Sequence, residues 1–149
     1  MNEKSLVAVV SVILVAAIVM IPVGIAALLH QAEPYRIVEG EPLREAAEAA
    51  GLRVCNVTDT LWNVPGATGG TAYVISDSCT DPDAETIRVE VQAFDSEESR
   101  DAALRTYLSQ SVGRARPVGS LIVVGQYLVY VEPYDSDLFK RLAPELKKK

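Results

Sequence analysis

Residues Leu6 to Leu29 are 24 consecutive positions without a charged side chain. Beyond them the pattern changes. Apolar positions recur at helical or strand spacing, divided by glycines, prolines and acidic turns. As a helix rising 1.5 Å per residue, the first run would be about 36 Å long, enough to cross a hydrocarbon core about 30 Å thick. It predicts a transmembrane anchor over residues 1–30 that meets the lipid bilayer through residues 6–29. Pro22 removes a backbone donor, which predicts a bend near Ile18 to Pro22. A cleaved signal peptide has an apolar core of about 7–15 residues and a small-x-small site. Gly24-Ile25-Ala26 would supply such a site, but the run exceeds that core. A pilin-type leader ending at Lys4-Ser5 would lack its glycine and its early helical glutamate.

After a linker over residues 31–40, the remainder reads as one domain, residues 41–149. Pro42 suits a first helical turn, and Leu43, Ala46, Ala47 and Ala50 share one face before Gly51 stops the helix. Leu52 to Val57 predicts a strand, Thr58 to Gly70 a loop broken by Pro65-Gly66 and Gly69-Gly70, and Thr71 to Ser76 a second strand. Asp77 to Glu85 is a polar loop. In Thr86 to Phe94, Ile87, Val89, Val91 and Ala93 alternate with Arg88, Glu90 and Gln92, a strand with one face toward a core and one toward water. Asp95 or Ser96 then caps a helix, with Glu98 placed for a capping box on Asp95. Ala103, Leu104, Tyr107, Leu108 and Ser111 form its expected inner stripe. Leu121 to Val131 predicts a hairpin turning at Gly125-Gln126 in a type II′ turn. Both faces of that hairpin are apolar, so it should be central or covered on both sides. Asp135 to Leu146 predicts a last helix with Leu138, Phe139 and Leu142 inward.

The expected fold class is therefore α+β: one N-terminal transmembrane helix, then a two-layer domain with an antiparallel sheet and about three helices on one face. The strand-helix-strand step from Phe94 through Leu121 also admits a parallel or split pairing, in the ferredoxin-like manner, making the sheet mixed.

Charge and cysteines add a compartment. Lys4 and the N-terminal amine precede the apolar run, which favours a cytoplasmic N-terminus and a C-terminal domain outside, in a single-pass protein of the cell membrane. Cys55 and Cys79 are the two cysteines, an even count that predicts one disulfide in an oxidising compartment. The 23 residues between them would close a loop, which stabilises a fold by about 3 kcal/mol in the chain-entropy model. Asn56-Val57-Thr58 is a glycosylation sequon, so Asn56 is a candidate glycan site. The chain carries a net charge of −6, and because Glu3 and Lys4 cancel, all of it falls after the anchor. Such an acidic domain argues against nucleic acid as partner.

The chemistry on offer is sparse. The lone histidine, His30, belongs to the anchor, so the domain has no imidazole for general-base work, and Gly-x-Ser-x-Gly and Ser-x-x-Lys are absent. Asp77, Asp81, Asp83 and Glu85 share one loop and are the candidates for calcium, without the spacing of a calcium loop. No other cofactor is expected. Pro65 to Thr71 is glycine-rich but has no lysine and precedes a strand, so it is a turn rather than a phosphate loop. Trp62, the single tryptophan, stands in a loop, either as a partner-binding anchor or folded back over the core edge. The sequence thus points to a non-enzymatic extracytoplasmic domain that binds a protein partner or serves as accessory subunit of an envelope or membrane assembly. The alternatives are a small-molecule or calcium-binding sensor module and a carboxylate-dependent hydrolase.

Overall fold

The structure, a computed structural model, describes residues 33–111 and 119–149. The predicted anchor lies outside the described residues. Among the described residues no helix is long and apolar enough to cross a membrane. Pro34–Lys149 is a compact unit containing helix α1 (Pro42–Ala49), strands β1 (Arg53–Asp59), β2 (Ala67–Ser76) and β3 (Thr86–Phe94), helix α2 (Glu97–Ser111), strands β4 (Ser120–Val124) and β5 (Tyr127–Glu132), and helix α3 (Asp137–Leu146).

The strands form one antiparallel sheet in the order β1-β2-β3-β5-β4. Strand β5 pairs with β3 and β4 on its two sides, so β3 and β4 run the same way with β5 between them. The β3-α2-β4 step is thus the split arrangement, and every neighbouring pair is antiparallel.

Side-chain alternation gives the sheet two faces. Tyr73, Ile75, Val89, Val91, Val129 and Val131 point to the first, where Leu43, Ala46 and Ala47 of α1 and Leu138, Leu142 and Leu146 of α3 complete the core. Short alanines let α1 lie close, and its end is a Schellman motif: Leu52 N–H donates to Ala47 O and Gly51 N–H to Glu48 O, with Gly51 at φ 70°. Ser136 caps α3, its Oγ accepting from Phe139 N–H at 3.0 Å. Arg141 of α3 donates to the carbonyls of Ala50 and Gly51 and pairs with Asp77 at 2.6 Å, joining α3 to the end of α1 and to the β2–β3 loop.

Several expectations are corrected. The domain has three layers rather than two, because α2 lies on the second face, with Tyr107 packed edge-to-face on Tyr130 at 5.9 Å. The alternation in β3 was correct, but its polar positions do not all meet water: Gln92 is fully buried. The loop after β1 is shorter than expected, residues 60–66, because Gly69 and Gly70 belong to β2. Gly70 breaks nothing there; a Cβ would sit 2.4 Å from Thr60 O, so glycine allows the loop to fold onto the strand. Ser96, not Asp95, caps α2, accepting from Ser99 N–H at 3.3 Å. Leu108, expected inside, is 49% exposed.

The stretch expected to be linker is held at residues 35–38. Gln126, in the β4–β5 turn, accepts from Val38 N–H at 2.7 Å and donates to Val38 O at 3.0 Å. Tyr35 donates to Phe94 O at 3.1 Å, and its ring lies 5.5 Å from the Arg100 guanidinium. Arg100 is fully buried, which requires compensation. Its Nη1 donates to Gly125 O at 2.6 Å and Nε to Asp101 Oδ1 at 2.9 Å, while Nη2 contacts Asp101 at 2.8 Å without hydrogen-bond alignment. Gly125, at φ 54° with no positive φ at Gln126, fits the type II′ expectation.

Candidate functional site

The second face of the sheet carries an open groove of about 300 Å³. Tyr130 of β5 is its floor, Ala103, Thr106, Tyr107 and Gln110 of α2 form one wall, and Trp62 and Val64 of the 60–66 loop form the other. No lining side chain is charged. The two walls meet the sheet differently. Helix α2 is weakly amphipathic and buries only Arg100 among residues 97–110, so it stands over the sheet without a continuous apolar seam. The opposing loop is tied down by polar side chains.

Gln92 makes that tie. Its Oε1 accepts from Trp62 N–H at 2.8 Å, and its Nε2 donates to Gly69 O at 2.5 Å and Ala93 O at 2.9 Å. A buried amide with its hydrogen bonds met holds the loop in one position. Trp62 Nε1–H donates to Glu90 Oε2 at 3.0 Å, while Arg88 engages the other carboxylate oxygen at 2.9 Å. The carboxylate beneath the indole is therefore already paired. On the other side, Tyr107 donates to Gly119 O at 3.1 Å. Three aromatic residues thus converge on one concavity, each positioned by polar contacts or ring packing.

Trp62, half-buried, is folded back over the sheet and also lines the groove. Cys55 and Cys79 are bonded, with Cα atoms 5.2 Å apart. That bridge ties β1 to the β2–β3 loop, away from the groove. Asn56 and Thr58 of the sequon are exposed on β1, at the sheet edge. The four acidic candidates do not converge. Asp77 pairs with Arg141, Asp81 accepts from Asp83 N–H at 3.0 Å, and Glu85 uses its backbone carbonyl to accept from Ser76. Among the described residues no group of three or more His, Cys, Asp or Glu side chains is placed to hold a metal.

A second cleft, of about 410 Å³, opens on the first face at the start of α1, between Gly69, Tyr73 and Tyr127. Burial pushes the Tyr73 phenol above the ordinary tyrosine value, opposed by a hydrogen bond with Thr71. Its lining is as polar as it is apolar and carries no convergent donors of one kind.

Sequence reasoning found Trp62 but missed Gln92, Glu90 and the Tyr107–Tyr130 pair. The usable signal was Gly70, which the register sets opposite Gln92. A glycine inside a strand marks a close backbone approach, here the Trp62 loop. The groove offers apolar, aromatic and neutral polar contact. Comparison of the chain with protein-family models, with curated proteins and with solved structures gives no match, so its function rests on the site itself.

Proposed function

We propose that this chain is a non-enzymatic domain, anchored in the cell membrane by its N-terminal apolar run and held outside the cytoplasm, which binds a protein partner through the Trp62 groove. The observation that carries the reading is the convergence of Trp62, Tyr107 and Tyr130 on a concavity with an uncharged lining. Aromatic side chains dominate binding energy at interfaces because they bury large area with few rotamers to freeze. The uncharged lining selects an apolar side chain or short apolar segment, since a buried ionic group would lose hydration without a counter-charge. The disulfide and the exposed sequon support an extracytoplasmic site.

The test is affinity capture of the full-length chain in mild detergent, with Trp62→Ala and Tyr107→Ala run beside it. The expected result is one stoichiometric partner whose recovery falls about tenfold or more in both variants, a loss typical of hot-spot truncation. A partner retained equally by wild type and both variants would remove the groove from the function. A second reading is a small-molecule sensor, favoured by the groove's size, which matches the lower end of ligand pockets at about 300 Å³. Trp62 is the only tryptophan, so its fluorescence reports directly on anything that enters.

A further inference from the structure

The sheet ends in two edge strands that differ in kind. Strand β1 is blunted. Its register shifts between Val54 and Asn56, its Cys55 is bonded across to Cys79, and Arg53 and Asp59 place charges at its two ends. Bulges, charges and cross-links are the devices that keep an edge from recruiting another strand. Strand β4 has none of these. Its pairing with β5 runs without a shift from Ser120 to Val124. Residues 119–131 contain no charged side chain and no proline.

Both sides of β4 are apolar. Ile122 and Val124 are buried in the core, and Leu121 and Val123 are half-buried on the second face. Helix α2 adds to that second face. At about 100° per residue, Leu108 stands roughly 160° around the helix from Thr106 and from Gln110, the residues turned to Trp62. It therefore lies on the flank toward β4, and it is 49% exposed.

We propose that this edge pairs with a second copy of the chain: two β4 strands meet antiparallel about a two-fold axis near Ile122, joining two five-stranded sheets, with the Leu108 flanks closing over the second face. Three observations select that occupant. First, two-fold pairing sets Leu121 opposite Val123 on either side of the axis, so half-buried apolar side chains meet across the new strand pair on the second face. Second, the chain carries a net charge of −6, so most surfaces of two copies repel, whereas residues 119–131 bring no charged side chain to the strand pairing. A charged partner peptide would find no counter-charge here. Third, the blunted β1 edge stops further addition, so the assembly closes as a dimer instead of growing as a fibre.

The test uses the full chain in mild detergent. A benzophenone amino acid replaces Val123, isotopically heavy and light copies are mixed, and the sample is irradiated. Heavy-to-light cross-links from position 123 to residues 120–124 of the other copy are expected, on a species near twice 16.1 kDa. Val123→Lys and Leu108→Lys are compared by sedimentation across a concentration series, and each is expected to weaken self-association by about tenfold or more. Leu108→Lys changes an exposed position, so it reads the interface even if a lysine in β4 disturbs folding. Cross-links confined to one copy, or leading to another region or another protein, would overturn the proposal. So would equal self-association of wild type and a folded Leu108→Lys variant.

Discussion

Helix α3 and helix α2 lie on opposite faces of the same sheet and are built on opposite terms. Leu138, Leu142 and Leu146 of α3 are each 1% exposed or less, whereas α2 buries only Arg100 among residues 97–110. On the first face, apolar side chains of two helices and the sheet interlock, and the packing itself fixes where the helices sit. On the second face, position is set by polar and aromatic contacts: Gln92 to the Trp62 loop, Tyr107 to Tyr130, and Arg100 to Gly125. The first arrangement supplies stability. The second leaves an aromatic concavity open while keeping its walls in place, which is what a binding surface requires.

The comparison can be broken from its stronger side. Leu142→Ala removes a fully buried side chain from the first face and is expected to cost about 3 kcal/mol in denaturant unfolding. A loss below about 1 kcal/mol would mean that the first face is not the denser one. Reducing the Cys55–Cys79 bridge is expected to cost a similar amount, about 3 kcal/mol, without altering groove binding, since the bridge lies at the β1 edge.

Gln92→Ala probes the second face. It strands Trp62 N–H and Gly69 O near the sheet and is expected to cost about 2 kcal/mol, with red-shifted Trp62 emission as the loop loosens. Unchanged emission would show that the loop is held by other contacts. Tyr107→Ala removes one ring of the edge-to-face pair, and the pair itself accounts for about 1 kcal/mol. Its stability cost should therefore be well below that of Leu142→Ala, while its effect on partner capture is large.

The smallest effects are electrostatic and report the first face and its rim. Tyr73 has a folded-state pKa raised by burial, so its contribution is fully present below the ordinary tyrosine pKa and is lost as pH rises through the raised value. Alkaline unfolding should therefore be shallower in Tyr73→Phe, measured by melting temperature against pH. Lys140 holds the Asp137 carboxylate below its usual range. That contribution is present above the ordinary aspartate pKa and lost as pH falls through the lowered one; because the pair is exposed, the loss should be small and should vanish at high salt.

Where the chain alternates or repeats cleanly, the elements were legible before any tertiary information. The period-two run of β3, the Pro42 start and Gly51 stop of α1, the II′ turn at Gly125 and the α3 stripe all follow from local rules. Those rules are written in residues a few positions apart. The disulfide was legible for a related reason, since two cysteines leave only one pairing.

Other features depended on contacts between distant segments. Local rules admitted Asp95 or Ser96 as the cap and put Glu98 in place for a capping box on Asp95, yet hydrogen-bond geometry chose Ser96. Gly69 and Gly70 read as breakers until the Trp62 loop was seen folded over Gly70. Helix α2 has a weak apolar stripe, so nothing local assigned it to a face. The face was decided by which residues of β3 and β5 stood ready to receive it, with Tyr130 meeting Tyr107. Residues 35–38 look like linker because their partners, Gln126, Phe94 and Arg100, are 59 to 88 positions away or lie across the turn. The sequence by itself determined the α+β class, the elements and the bridge, because periodicity and capping act locally. The tertiary structure alone decided the third layer, the burial of Gln92 and Arg100, and the groove, because each depends on which surfaces meet once the sheet has formed.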